Sequence, residues 1–326
     1  MRDLAVVRRW KGTPFVGACA AVTGMFAASL CAGDAPQVDF ESRPGELVVT
    51  VAGRPVASYV YVDDRVLRPY FAHVKAPHGV QLTRNYPPIQ GQDRTDHETM
   101  HPGIWMAFGD LGGEDFWRNK ARVVHEGFVE KPSGDPGEGT FVVRNRYRAQ
   151  NESTVCREEC RIAWLVRPSA YLLVWDSTFY SDRSFYFGDQ EEMGLAFRVA
   201  TPISVAEGGT MLDAQGRRNE NEIWGHAAPW CDYSGIIDGS RIGITVMCHP
   251  ENFRPCWLHA RDYGFIAANP FGRNAFGEGP PSRVVIKNGE KFRLRYGMLM
   301  HFAPADEPID LQAAYRDYVQ QTRTAE

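Results

Sequence analysis

One stretch concentrates the side chains that do chemistry: residues 96–122, DHETMHPGIWMAFGDLGGEDFWRNKAR. It sets Asp96, His97, Glu98, His101, Trp105, Asp110, Asp115 and Trp117 among Pro102, Gly103, Gly109, Gly112 and Gly113. The proline and the glycines rule out a long helix, so the segment reads as a loop that builds a site. Imidazoles beside carboxylates can exchange protons near neutral pH. His97 and His101 are four apart, which on a helix would aim both at one metal ion. Pro102 and Gly103 break such a helix, and on a strand the pair would stand ~13 Å apart. A divalent metal on His97 and His101 therefore needs the chain to fold back. No cofactor is otherwise required, and His101 alone is expected to line a ligand pocket.

Three further stretches have the same polar, aromatic, glycine-marked character. RPYFAHVKAPHGVQLTRNYPP (68–88) carries Arg68, His73, His78, Arg84 and Tyr86; GDQEEMGL (188–195) carries Glu191 and Glu192; CWLHARDYGFIAANPFG (256–272) carries Trp257, His259, Arg261 and Asn269. A fifth, GRRNENEIWGHAAPWCDYSG (216–235), is more ambiguous. On a strand, Trp257, His259 and Arg261 share one face and leave Leu258 and Ala260 on the other, a pattern that suits the wall of a cleft. Glu191 and Glu192 are adjacent, so only one of them can point into a given pocket.

Paired acids and imidazoles suit proton transfer at a sugar ring, as in hydrolysis, elimination or epimerisation. On that reading His101 and His259 exchange protons or orient hydroxyls, and Glu191 or Glu192 supplies the carboxylate. Arg84 holds the ligand, Trp105 and Trp257 offer stacking faces, and Arg261, Asn269 and His73 complete the binding surface. Asn269 also opens an Asn-Pro-Phe-Gly turn, its other reading. A sugar-binding or scaffold protein without turnover, and a metal-dependent oxidoreductase, are the alternatives. No G-x-S-x-G elbow, P-loop or dinucleotide fingerprint is present, which argues against serine hydrolysis, NTP use and NAD chemistry.

The elements that must position these groups are strands. ELVVTVAG and VASYVYV alternate on either side of a Gly53-Arg54 turn and predict a hairpin. Residues 139–150, 161–168, 170–181, 194–200 and 241–249 predict further strands, and Asn288-Gly289 between two alternating runs predicts a second hairpin. Near the end Asp310 can cap a helix whose Leu311, Ala314, Tyr315 and Tyr318 form one apolar stripe. Many strands, one C-terminal helix, no internal repeat and no linker predict an all-β fold, a large antiparallel β-sandwich spanning 34–326 as a single domain.

Residues 1–33 read as an export signal, with Arg2, Arg8, Arg9 and Lys11 before the apolar run Phe15–Leu30 and small residues at Ala32, Gly33 and Ala35. The expected location is periplasmic or extracellular, with no membrane span after the signal is removed. Basic residues number 36 against 40 acidic, so nothing in the charge favours nucleic acid. Aromatic residues make up 12% of the chain, consistent with a carbohydrate or other small-molecule ligand stacked on rings. Of the five cysteines past the signal, Cys156 and Cys160 are too far apart on an extended strand to bridge.

RPYF, HPGIW followed by GD and DFW, the acidic QEE, NENEIWG before WCDYSG, and WLHARDYGFIAANPFG occur here in an order that resembles a bacterial family catalogued as "methane oxygenase PmoA" and treated as a domain of unknown function. The resemblance runs from about residue 60 to 300. It implies a secreted bacterial β-sandwich, and fold analogy extends this to the supersandwich of galactose mutarotase. The membrane monooxygenase behind the label is a helical bundle, which a chain with no apolar span after its signal cannot form. Many members carry a His-Pro-His-His-Arg-Gly-type run where this chain has Glu98-Thr99-Met100-His101-Pro102-Gly103, and only His101, Gly103 and Trp105 match directly.

Overall fold

Strand-length alternation becomes two antiparallel sheets of eight strands each in the computed structural model, which describes residues 35–323. Numbered in chain order, the first sheet runs β1 (Val38–Arg43), β2 (Glu46–Val51), β3 (Arg54–Val60), β4 (Tyr70–Ala72), β5 (Ile104–Phe108), β11 (Met193–Arg198), β16 (Phe265–Asn269), β15 (Trp257–Arg261). The second runs β12 (Thr210–Asp213), β13 (Trp230–Ile237), β14 (Ser240–Cys248), β18 (Lys291–Pro304), β9 (Ala170–Tyr180), β8 (Thr154–Arg167), β7 (Glu138–Arg148), β6 (Arg122–Asp135). A small third sheet pairs β10 (Phe185–Phe187) with β17 (Val284–Ile286).

The sheets pack face to face, because most strands turn alternate apolar residues to one side, and these must leave water. Leu47, Val49 and Val51 of β2 enter one continuous core with Phe71, Phe108, Phe141, Trp164, Trp175 and Tyr296. Phe71 meets Trp164 at 6.2 Å and Trp175 at 5.9 Å between ring centroids, which ties the two sheets together. The large antiparallel sandwich expected from the alternation is therefore present. The predicted β2–β3 hairpin forms, with positive φ at Ala52 and Gly53.

The second predicted hairpin does not. Asn288-Gly289 makes a turn, closed by Glu290 N–H donating to Lys287 O at 3.0 Å, yet β17 pairs with β10 while β18 pairs with β9 and β14. Turn chemistry is local; which sheet each arm joins is decided by what it buries.

The C-terminal helix α2 (Leu311–Gln321) starts where Asp310 accepts a hydrogen bond from Ala313 N–H at 2.8 Å. Leu311 and Tyr318 dock on the outer face of the second sheet. Gly297 allows this: a Cβ there would lie 2.8 Å from the Tyr318 ring. A five-residue helix, α1 (Asn219–Ile223), was not foreseen. Cys156, Cys160, Cys231, Cys248 and Cys256 are buried free thiols. The predicted signal, residues 1–33, lies outside the described residues, none of whose helices is long and apolar enough to cross a membrane.

Candidate active site

The outer face of the first sheet carries the chemistry. With Leu195, Phe197, Leu258, Ala260 and Ile266 turned into the core, the alternate residues Arg198, Phe265, Ala267, Asn269, Trp257, His259 and Arg261 point the other way, as the period of two dictates. Loops rise over this face and bring residues from four of the five stretches together.

His259 is buried at 5% exposure, edge-on to Phe265 at 5.1 Å and to Phe276 at 6.2 Å. Its Nε2 lies 3.4 Å from Glu191 Oε2. Neither ring nitrogen makes a hydrogen bond to protein. Burial, helped by the charge of Arg261, pushes the imidazole down to about 3, so it is neutral at pH 7. Glu191 shifts the other way: burial, reinforced by Glu192, raises its carboxyl above the ordinary range against the pull of Arg261 and Arg118. Arg261 bridges Glu191 Oε2 at 3.4 Å and Glu220 Oε1 at 3.2 Å, with its guanidinium 5.7 Å from the Trp224 ring centroid. Glu220 is fixed in turn by Asp262 N–H, which donates to its Oε2 at 2.9 Å. Trp224 lies 5.5 Å from Phe276, and its buried indole N–H also has no protein partner.

Asn269 holds this constellation in place. Its amide donates to Gln190 O at 2.7 Å and Glu191 O at 3.0 Å, while its Oδ1 accepts from Phe271 and Gly272 N–H at 2.8 and 3.1 Å. Gly194 completes the support: at φ +100° a Cβ would sit 2.1 Å from Ala268 O, so only glycine lets the Glu191 turn lie this close to β16. Asn269 is therefore a clamp, and its expected ligand contact is corrected.

A second cluster adjoins the first through Phe265. The His101 ring stacks on Phe265 at 4.6 Å, on His97 at 4.8 Å and on Trp105 at 5.1 Å. Asp96 takes a bidentate contact from Arg198 at 2.9 and 3.0 Å and bonds His97 Nδ1 at 2.8 Å. Burial would raise the Asp96 carboxyl, but Arg198 and His97 outweigh it and hold it at about 2. His101 is driven well below the imidazole range by burial and by Arg198. The stacked geometry corrects the metal expectation for His97 and His101: one ring nitrogen of His97 is taken by Asp96, and His101 Nδ1 faces the Arg198 guanidinium at 3.4 Å, which repels a cation. Among the described residues no group of three or more His, Cys, Asp or Glu is placed to hold a metal ion.

Other expected roles also change. Arg84 is buried, and its fork donates to the carbonyls of Arg94 (2.8 Å), Asp96 (2.6 Å) and His101 (3.1 Å), so it pins the loop instead of holding a ligand. Trp105 is fully buried beneath His101 and Trp117 and has no free stacking face. Glu192 turns away to Arg118 in the bend that precedes β11. His73 is exposed beside Glu46 and Lys75 and touches none of these groups. Trp257 is half-buried beside Phe276 and Arg254. Glu220, Trp224 and Phe276 were missed; the first two sit in the ambiguous NENEIWG segment, whose acid and indole were the available signal.

Replacing Arg84 with Leu would leave the buried His101 carbonyl and the part-buried carbonyls of Arg94 and Asp96 without their donor, at about 1–3 kcal/mol for each group left unsatisfied. The expected result is a folded protein whose unfolding free energy in urea drops by about 2–4 kcal/mol. A drop below about 0.5 kcal/mol would remove Arg84 from this role.

No curated protein matches the chain in sequence. Among solved structures, the GH36 α-galactosidase AgaA of Geobacillus stearothermophilus matches at TM-score 0.43 and 10% identity, over 83% of this chain and 42% of its own length. A galactose mutarotase-like protein of Lactobacillus casei matches at 0.34 and 8% identity, over 81% and 100%. A galactose mutarotase related enzyme of Lactobacillus acidophilus matches at 0.31 and 12% identity, over 83% and 99%. The chain thus spans less than half of the galactosidase. The model of DUF6807, a family of unknown function, matches residues 46–313, which include every residue of both clusters; the "methane oxygenase PmoA" label gains no support, and the chain belongs to the DUF6807 family.

Proposed function

We propose that this protein is a carbohydrate-active enzyme that moves protons at a sugar ring through His259 and Glu191. One observation carries the reading: a buried imidazole with both nitrogens free stands 3.4 Å from a carboxylate of raised pKa. A buried polar group without a partner is costly, so the arrangement suits a ligand whose hydroxyls complete it. The Glu191 carboxylate accepts a proton from a ring hydroxyl or carbon, and neutral His259 donates through one nitrogen while accepting at the other. Arg261 balances negative charge developing on oxygen. Trp224 and Phe276, with Trp257 at the edge, supply apolar ring faces to the C–H side of a sugar. Hydrolysis, elimination and epimerisation all draw on these groups. The export signal read in residues 1–33 supports a location in the periplasm or outside the cell.

The test is turnover of a panel of mono- and oligosaccharides followed by proton NMR, with His259→Ala beside the wild type. Loss of turnover in a folded variant supports the reading. Undiminished turnover in the variant, or binding without turnover by the wild type, overturns it.

A further inference from the structure

A second polar centre lies on the outer face of the other sheet, remote in sequence from every residue used above. Ser234 of β13, Gly243 of β14 and His301 of β18 are directly paired across three strands, with Asp232 and Thr245 two pairs further along and so on the same face. All five point away from the core. His301 Nε2 lies 2.7 Å from Asp232 Oδ1, which also accepts from Thr245 Oγ1 at 2.8 Å. A carboxylate accepts only, so Nε2 carries a proton, and in the neutral ring Nδ1 presents a lone pair. That Nδ1 is buried and has no hydrogen-bond partner, on a side chain only 2% exposed.

Beside this row is a cavity of about 570 Å³, lined by Ser234, Asp232 and His301 and by the strap 305–309 that leads to α2. The strap is held by Ala305 N–H donating to Gly239 O at 3.0 Å and by Arg241 reaching Ala305 O at 3.3 Å. The volume falls within the ~300–1,000 Å³ of small-molecule sites. Gly243 is what lets the Ser234 and His301 side chains close over the strand between them, because a Cβ there would lie 2.6 Å from the Ser234 Cβ and 2.7 Å from the His301 ring.

The lining settles the class of ligand. Arg218 and Arg241 face Asp306, Glu307 and Asp232, so the lining mixes both signs with one acid in excess and offers a charged ligand no matching field. Hydroxyls of Thr210 and Ser234, the lone pair of His301 and the apolar edge of Leu212, Ile309 and Leu311 offer donors, acceptors and a hydrophobic face together. A neutral polyhydroxylated ring uses all three, whereas a multiply charged ligand would face like charges. We infer that this cavity is a second binding site, for a neutral monosaccharide unit with one hydroxyl donating to His301 Nδ1. It stands on its own geometry, independent of the reading of His259 and Glu191.

The experiment is nitrogen-15 NMR of the His301 ring in the full chain, titrated with D-glucose and D-galactose. The expected result is a saturable shift of the Nδ1 resonance at millimolar sugar, weakened at least tenfold by Ser234→Ala or Thr210→Val and abolished by Gly243→Ala in a folded protein. The shift should persist in His259→Ala, which separates this site from the first. Should Gly243→Ala fail to fold, the two hydroxyl deletions still decide. No saturable shift with either sugar, or a shift indifferent to both hydroxyl deletions or lost only in His259→Ala, would overturn the assignment.

Discussion

Glu191→Gln is expected to lower kcat by about 10²- to 10⁴-fold on any sugar the wild type turns over, with little change in folding. The side chain is only partly covered, and the amide keeps the shape that meets Arg261. What it loses is the ability to take a proton. The pH dependence separates this role from a packing role. Because burial raises the Glu191 carboxyl above the ordinary value of a glutamate, the base is lost as pH falls through that raised pKa. Wild-type kcat/KM should therefore decline on the acid side at a pH above the ordinary carboxylate range. His259, depressed to about 3, stays neutral throughout that window and adds no second limb there. In Glu191→Gln the residual rate should be flat across the same range. An acid limb that survives in this variant would mean that another group titrates and that Glu191 is not the base.

The part of this site legible in the sequence was the part fixed by short-range periodicity. Trp257, His259 and Arg261 were placed on one face by the strand period, and the rule that neighbours face apart separated Glu191 from Glu192. The first survives folding because β15 allows no other arrangement; the second holds although Glu191 and Glu192 lie in the bend before β11. The same reasoning could not see Arg84, whose partners are backbone carbonyls that no side-chain pattern encodes. Nor could it see that Asp96 would meet Arg198, 102 positions away. Trp105 was read as a stacking face because tryptophan types allow it, yet its neighbours in space, Trp117 and His101, come from loops whose paths depend on the whole sandwich. Glu220 and Trp224 were hidden for a related reason: the five-residue helix that aims them has no stripe of its own and is held by Asp262, which donates no sequence signal. Local rules thus delivered the strand faces, and tertiary contacts chose which of those faces hold chemistry.

The largest stability effect is expected far from both sites, at Glu158. It sits on β8 facing the core at 2% exposure, where the pattern of alternation calls for an apolar residue. Ser177 Oγ donates to Oε1, Asn145 Nδ2 donates to Oε2 at 3.0 Å, and Trp175 Nε1 donates to Ser177 Oγ at 3.1 Å, so the carboxyl ties together β7, β8 and β9. Glu158→Ala would leave these donors buried and unsatisfied around a new cavity, a loss of about 3–5 kcal/mol in unfolding free energy. Burial also raises the Glu158 carboxyl, against the opposing hydrogen bonds of Ser177, Asn145 and Tyr147. A carboxyl raised in the folded state binds its proton more tightly there than in the unfolded chain. Its contribution is therefore complete below the unfolded value and is lost as pH rises from there through the folded pKa. Glu158→Gln cannot ionise, so its stability relative to wild type should increase with pH across that window and then level off. Urea unfolding of the wild type and both variants from pH 4 to pH 8 reads each effect. A pH-independent difference between Gln and Glu would show that Glu158 keeps its unfolded pKa in the core, and a cost below about 1 kcal/mol for Ala would show that the donors find other partners.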